Sequence, residues 1–403
     1  MEERMTPRAI ALLLALGAIF FLITATTFAS LGVILPAMIA EFRWNWGTAG
    51  LGFTMLALLT GIFSPVAAAS LERLGARLHY ALGGAVIVGG YFLLGAVSNV
   101  AAYLVATSML GAGFALLANV PGTYIVGRAA PLKWRNIAIG GYLAAGGAGG
   151  VFGPLMANAQ VTGGGDWRGY WFASAISAGA IVAVIVALVD KSLAQGPGLQ
   201  RGASPEAQSS DAGWSARAAM RTPAFAIISA ALTVAYFCGV TVSTWSVAHL
   251  QNAGLAPAFA VSMFSLYSGL NAGARAAGGA LVRDIDARKL LAAALLANVV
   301  GMTALAFAKS APIAIVFAVF DGFAFGMALF ASTALLIDYF GLKNSPALLG
   351  GANLAATIAM LGPTIAGQTA DRWGSFAPIF MIYAFAALVA AIAVIAMKKP
   401  AQG

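Results

Sequence analysis

The chain of 403 residues is 61% hydrophobic and 9% charged, with a mean hydropathy of +0.89. A soluble domain carries about 25% charged residues, so a deficit this deep along the whole length excludes a soluble globular protein and predicts a polytopic membrane protein. The net charge of +9 does not point to nucleic acid, because the basic residues sit in short loops where the positive-inside rule accounts for them. The lone cysteine, Cys238, excludes an intrachain disulfide.

Apolar segments of about 20 residues or more, cut by charged or Gly/Pro turns, number twelve. They span 9–38, 48–70, 79–98, 100–127, 136–158, 168–189, 223–248, 257–282, 289–308, 311–337, 346–368 and 375–397. The first follows Arg4 and Arg8 as a signal peptide would, but it far exceeds the roughly 7–15 apolar residues of such a peptide and reads as an uncleaved first helix. The 48 glycines suit closely packed transmembrane helices.

Charge predicts the orientation. With both termini cytoplasmic, the outer side keeps only Arg43, Arg168, Lys309 and Arg372, and Arg275 is intramembrane. Every other Lys and Arg falls inside, including Arg73, Arg77, Arg128, Lys133, Arg135, Arg283, Arg288 and Lys343. The stretch 191–221, rich in Gly, Ser, Pro, Gln and Ala, reads as a flexible cytoplasmic linker between an N-terminal bundle over 1–190 and a C-terminal bundle over 222–403. Around 214–220 it is either plain linker or a short amphipathic helix on the membrane surface.

The two halves look duplicated. Leu132-Lys133, Gly140-Gly141 and Gly153-Pro154 recur as Leu342-Lys343, Gly350-Gly351 and Gly362-Pro363. A similar offset sets Glu72-Arg73-Leu-Gly-Ala-Arg77 against Arg283-Asp284-Ile-Asp-Ala-Arg288. Parallel repeats of this kind place a substrate near the midplane between halves. The run from Gly146 to Gly153-Pro154 is no phosphate loop, because the Lys-Ser/Thr that must follow is missing. Small residues there let helices approach and rock, and Pro154 and Pro363 permit bending.

The eighth segment carries the most informative residues. Tyr267, Asn271 and Arg275 are spaced i, i+4, i+8 and share a helix face. A guanidinium in the hydrocarbon costs roughly 2.5–3.5 kcal/mol on insertion scales, and such residues face a bundle interior or a water-filled cavity. The fork of donors on Arg275 matches a carboxylate and stays charged; the alternative is a structural arginine paired with Asp321 or with backbone carbonyls. Asp321 lies roughly 16 Å into the tenth segment at 1.5 Å per residue. Desolvation favours a neutral acid and a nearby guanidinium favours its anion, so Asp321 is a candidate proton carrier, a fixed counter-ion of Arg275, or a protonated packing residue. Thr26, Thr27, Asn119, Tyr124, Tyr236, Asn353 and Thr357 offer further polar contacts, each of which could equally be an interhelical hydrogen bond. Tyr142 and Asn158 are weaker candidates of the same kind.

His79 and His249 lie near helix ends and read as structural, with a minor proton role open to His249. No His/Cys cluster suggests a metal and no Ser/His/Asp set suggests hydrolysis, so neither a metal, a cofactor nor an enzyme is expected. The loop charges Glu72, Arg73, Arg77, Arg128 and Arg135 in one half, and Arg283, Asp284, Arg288 and Asp338 in the other, either form cytoplasmic ion-pair latches or only set the topology.

These features resemble the major facilitator superfamily over essentially the whole chain. Glu72-Arg73-x-Gly75-x-Arg77 looks like a shortened form of its loop 2–3 signature, and Gly279-x-Leu281-x-Arg283-Asp284 through Arg288-Lys289 like the second copy. The acid at Glu72, the swapped Arg283-Asp284 order and Asp286 in place of a glycine depart from that pattern. The resemblance implies an all-α membrane protein with twelve transmembrane helices in two pseudo-symmetric six-helix bundles, acting as a secondary transporter. Within the superfamily the chain is similar to the monocarboxylate transporter and oxalate/formate antiporter group. Asp338-Tyr-Phe-Gly-Leu-Lys343-Asn, Gly350, Gly362-Pro363, Gly367, Asp371 and Gly374-Ser375 carry that likeness, as do Phe28-Ala-Ser-Leu-Gly-Val, Pro36 and Glu41-Phe-Arg-Trp44.

In that group an arginine on helix 8 holds the substrate carboxylate, and Arg275 matches its place. Mammalian-type members carry an acid one turn earlier, where this chain has Asn271. Oxalate carriers add a lysine on helix 11, whereas 347–368 holds no cation, which disfavours a dicarboxylate. The expectation is a proton-coupled symporter of small monocarboxylates in a bacterial-type inner membrane. Its partners would be a small carboxylate, a proton and the lipid bilayer; neither nucleic acid nor an obligate protein partner is implied, and the chain is expected to be monomeric. The alternatives are a carboxylate exchanger without proton coupling, taking aromatic or dicarboxylic acids as well, and a non-transporting membrane sensor.

Overall fold

The computed structural model describes residues 5–162, 166–189, 214–341 and 345–400, and among them every regular element is helical. The side chains of Asn119 and Pro346 lie outside that description. The chain divides into two compact units, Met1–Arg201 and Gly202–Gly403. The expected linker lies outside the described residues up to 213, as do Lys191, Arg201 and Lys343.

The first unit runs α1 (Pro7–Thr24), a π-helical turn (Ala25–Ala29), α2 (Ser30–Phe42), α3 (Trp46–Gly95), α4 (Val100–Leu117), α5 (Asn119–Ala129), α6 (Arg135–Thr162) and α7 (Trp167–Leu188). The second runs α8 (Ala216–Met220), α9 (Pro223–Asn252), α10 (Pro257–Leu281), α11 (Ala287–Ala306), α12 (Ala311–Phe340), α13 (Ser345–Ala356), a 3-10 turn (Thr357–Leu361), α14 (Gly362–Trp373) and α15 (Ala377–Ala396). The first membrane crossing of each unit, α1 and α9, starts in the same way. Thr6 accepts the Ala9 N–H ahead of Pro7, and Thr222 accepts the Phe225 N–H ahead of Pro223. Each hydroxyl satisfies an orphan donor, and each proline occupies a position where no N–H is missed.

Among the described residues, nine helical stretches are long and apolar enough to cross a membrane. One of them, α3, spans 50 residues and breaks at Gly75, whose φ of 76° and ψ of 159° suit only glycine. It therefore supplies two crossings. Two more helices, α6 with 28 residues and α10 with 25, are long enough to cross but are diluted by glycine and polar side chains. The resulting twelve crossings match the segment pattern. The stretch 214–220 forms a short helix, α8, capped by Ser215, and the Trp214 ring packs edge-on against Phe340 at 5.6 Å.

Glycine sets the closest contacts. In the first unit Gly149 and Gly153 of α6 lie against the backbone of Phe21 and Ala25, where any methyl group would overlap main-chain atoms. In the second, Gly362 occupies the corresponding place against Thr241 and Phe237 of α9. A side chain then ties each Gly-Pro step to the first crossing of its unit: Ser30 donates to the Gly153 carbonyl at 3.0 Å and the Trp245 indole to the Pro363 carbonyl at 2.8 Å. The repeats differ in one respect. The α6 helix continues without a break through Pro154, whereas the second copy breaks into α13, a 3-10 turn and α14 just before Pro363.

Candidate functional site

The geometry around Arg275 follows from how α10 meets α12. Gly322 lies against the backbone of Tyr267, and Gly326 against that of Asn271. Four-residue steps on both helices thus bring the two backbones together along the face that carries Tyr267 and Asn271. Tyr267 is 1% exposed, Asn271 half-buried and Arg275 exposed. Arg275 leaves the contact at its margin and lays its guanidinium over the Phe325 ring at 5.6 Å. Its Nε donates to Asn271 Oδ1 at 3.0 Å. The neighbouring Tyr236 of α9 stands 6.0 Å from Phe325, ring to ring.

The alternative in which Asp321 is a fixed counter-ion of Arg275 is not what the structure shows. Asp321 is fully buried in α12 and accepts its hydrogen bond from Asn298 Nδ2 of α11 at 2.5 Å. Gly301, one turn after Asn298, is pressed against the Asp321 backbone, which holds the carboxyl toward α11 and away from Arg275. Among the described residues, the partners that Arg275 does have are an amide and aromatic rings.

Asn298 was absent from the sequence-based candidates. The only signal was one amide in an otherwise apolar ninth segment, and a lone asparagine there reads as an ordinary interhelical bond. Its partner identifies it.

The other candidates fall into three groups. Asn353 of α13 is exposed but donates to the Leu349 carbonyl of its own helix at 2.9 Å, and Thr357 donates to the Asn353 carbonyl. In the first unit, Tyr124 accepts from Arg128 Nη1 at 3.4 Å and packs under its guanidinium, while the Asn119 side chain lies outside the described residues. Thr26 and Thr27 are buried around the π-helical turn, Thr26 bonded to the Tyr91 hydroxyl and the Leu22 carbonyl and Thr27 to the Ile23 carbonyl. Those two hydroxyls are structural. Tyr142 is buried and stacks on Phe20 at 4.6 Å.

Both histidines are structural. His79 bonds Ser70 through Nδ1 and the Leu116 carbonyl through Nε2, each at 2.7 Å. His249 donates from Nε2 to the Leu305 carbonyl at 2.9 Å. Two residues of the expected cytoplasmic latches are engaged within the second unit: Asp338 pairs with Lys399 at 3.2 Å, and Arg288 bonds the Met397 carbonyl at 2.7 Å.

Comparison with known proteins places these features. The sequence matches the profile of the Major Facilitator Superfamily over residues 15–286. No protein of curated function matches it significantly. The fold is similar to that of a bacterial homologue of the human lysosomal transporter Spinster. In the inward-facing, unoccupied form the likeness covers 97% of this chain and 95% of that one, with a TM-score of 0.71 at 17% identity. The inward-facing, occupied form gives 0.72 at 16% identity over the same shares. A point mutant of the nucleoside transporter NupG is similar over 96% of this chain and 100% of its own, with a TM-score of 0.77 at 14% identity. At these identities the likeness concerns the fold.

Proposed function

The chain belongs to the major facilitator superfamily, and on that premise we propose that this membrane transporter is a proton-coupled symporter of small, lactate- or pyruvate-like monocarboxylates. The observation that carries the reading is Arg275: an arginine in an apolar helix whose guanidinium takes the neutral Asn271 as its hydrogen-bond partner. A permanent cation in such a place needs an anion, and a carboxylate fits its fork bidentately. Asn271 holds the Nε edge and leaves the remaining donors for the ligand, while Tyr236 and Phe325 flank the apolar part of a small acid. The eleventh segment adds no second cation, which favours a monoanion. Asp321 supplies the proton site. Moving one proton with one monoanion transfers no net charge, so transport does no work against a potential worth about 2.3 kcal/mol per charge per 100 mV. The two units would alternate access in an inner membrane with both termini cytoplasmic.

The test is uptake of labelled lactate into proteoliposomes with and without an inward proton gradient. Accumulation driven by the gradient is expected. Absence of gradient-driven uptake of any short monocarboxylate, in protein shown to be folded, overturns the reading. One observation favours the exchanger instead: Asp321 is fully enclosed and makes no contact with Arg275, as an acid with a permanent proton would be. Counterflow without pH dependence that persists in Asp321→Asn would select that alternative.

A further inference from the structure

Behind the anion site, three crossings of the second unit meet at one buried polar point. Asp321 on α12 is fully buried and receives one hydrogen bond, from Asn298 of α11, itself 2% exposed. Asp321 Oδ2, Asn298 Oδ1 and the Tyr267 hydroxyl of α10 are all buried without a hydrogen-bond partner. Two glycines force this convergence. Gly301 admits the Asp321 backbone to α11, and Gly322, the next residue of α12, admits the Tyr267 backbone to α10. Tyr267 links the two sites along the chain: its backbone meets Gly322, the residue after Asp321, and Arg275 follows it two turns later on the same helix. The remaining titratable neighbour is the buried thiol of Cys238 on α9.

Orphaned buried polar atoms are costly, at roughly 1–3 kcal/mol each. Three of them, on Asp321, on its amide partner and on the α10 face packed beside Gly322, call for a function. A carboxylate anion here would have one neutral donor and no cation in contact, an arrangement that proteins avoid by neutralising the group. A proton on Oδ2 satisfies that condition and leaves the Asn298 bond to Oδ1 intact. The site is closed to solvent in this conformation, as a coupling site must be in at least one state if the ion is not to leak.

We propose that Asn298, Asp321 and Tyr267 form one occluded proton-binding unit, in which Asn298 is the positioning residue of Asp321 and the Tyr267 hydroxyl relays its charge state to the anion at Arg275. This rests on the proton-symport reading above and names residues for it. Release of the proton leaves an anion stabilised by the Asn298 amide. A carboxylate arriving at Arg275 alters the field at Tyr267 and so favours the proton-bound form. Proton and substrate then bind together with no covalent step.

The experiment compares wild type with Asn298→Leu, Asn298→Ser, Tyr267→Phe and Asp321→Asn in proteoliposomes and by infrared spectroscopy. The pH profile of gradient-driven lactate uptake in Asn298→Leu is expected to move by about one unit to the alkaline side, the equivalent of one hydrogen bond to the anion. Asn298→Ser, which keeps a small donor and guards against failure of the leucine variant to fold, moves it less. In Tyr267→Phe, lactate still raises the unfolding temperature while gradient-driven accumulation falls at least tenfold. The infrared carbonyl band of a neutral carboxylic acid is expected in wild type, shifted in Asn298→Leu and absent from Asp321→Asn. Profiles that superimpose on a working wild type overturn the proposal and leave the symport reading standing. Should wild type show no gradient-driven uptake, the symport reading falls, and the infrared bands alone decide: a band lost in Asp321→Asn and shifted in Asn298→Leu upholds the proton-binding unit, and no such band removes it. A dependence on sodium in place of protons also overturns it.

Discussion

The two units share a scaffold and differ in what they bury. In the first, the polar groups around the π-helical turn are tied to one another, the Thr24 hydroxyl excepted. Thr26 meets Tyr91, Ser30 bonds the Tyr170 hydroxyl at 2.6 Å and the Ala25 carbonyl at 2.6 Å, and both His79 nitrogens are engaged. No Asp, Glu, Lys or Arg stands within its apolar segments away from their ends. In the second, Arg275 and Asp321 lie in the interior, one open and one enclosed, each with a neutral amide for company. The Gly-Pro contacts that tie the fifth crossing to the first are present in both. The architecture is thus common to both copies, and the proposed chemistry is assigned to ionisable groups that only one copy buries. An anion carrier needs its cation only once; a second in the other unit would bind a second charge and change the electrical balance of transport.

The largest effect expected from breaking this asymmetry is at Arg275. A hydrogen bond to a charged group is worth about 1.5–3 kcal/mol, so Arg275→Gln should raise the half-saturating lactate concentration roughly ten- to a hundred-fold. Uptake kinetics read this, and an unchanged unfolding temperature without substrate shows that the fold is intact. The first unit should respond in the opposite manner. Gly153→Leu forces a side chain into the Ala25 backbone and should cost about 1–3 kcal/mol of stability, seen as a lower unfolding temperature, whereas Gly140→Ala meets nothing within 4 Å and should be silent. Asn271→Ala removes the side-chain hydrogen bond to Arg275 and should weaken half-saturation a few-fold, about 0.5–1.5 kcal/mol. Asn271→Asp should be worse than Asn271→Ala, because an internal carboxylate competes with the substrate for the guanidinium.

The membrane class and the crossings were legible because twenty-residue apolar runs and loop cations are one-dimensional signals, readable residue by residue. Even the weakly apolar α6 and α10 were recovered from their flanking turns. Arg275 was legible for the same reason: a charge in such a run is conspicuous alone. The partner of Asp321 was not. Whether a buried acid faces α10 or α11 depends on helix rotation, which Gly301 and Gly322 set by close approach, and glycines are too frequent in this chain for two of them to stand out. Thr26 and Thr27 illustrate the converse. Their hydroxyls lie at the right depth for a ligand, but the π-helical turn directs them to Tyr91 and to backbone carbonyls, and nothing in the local sequence announces that turn.

The smallest effect is expected where the first unit does carry charge, at its outer rim. Arg168 contacts Glu41 Oε1 at 2.8 Å and Oε2 at 2.9 Å, bonds the Val97 carbonyl at 3.2 Å, and lies over the Trp167 ring at 4.1 Å. The Trp167 indole also donates to Glu41 Oε2 at 2.9 Å. Several contacts on one carboxylate suggest a strong lock, yet both side chains are partly exposed, at 27% and 43%, and exposed ion pairs are typically worth 0–1 kcal/mol and weaken with salt. Glu41→Gln keeps an acceptor for the indole and gives up only the charge, so it should cost less than about 1 kcal/mol, and the difference from wild type should vanish at high salt. Arg168→Gln also forfeits the ring stacking and the Val97 bond and should cost more, with a part that salt does not remove. Lactate half-saturation should not move in either variant: a charge at the rim of the first unit holds α2 to α7, while Arg275 of the second is the cation assigned to the substrate in the proposed function.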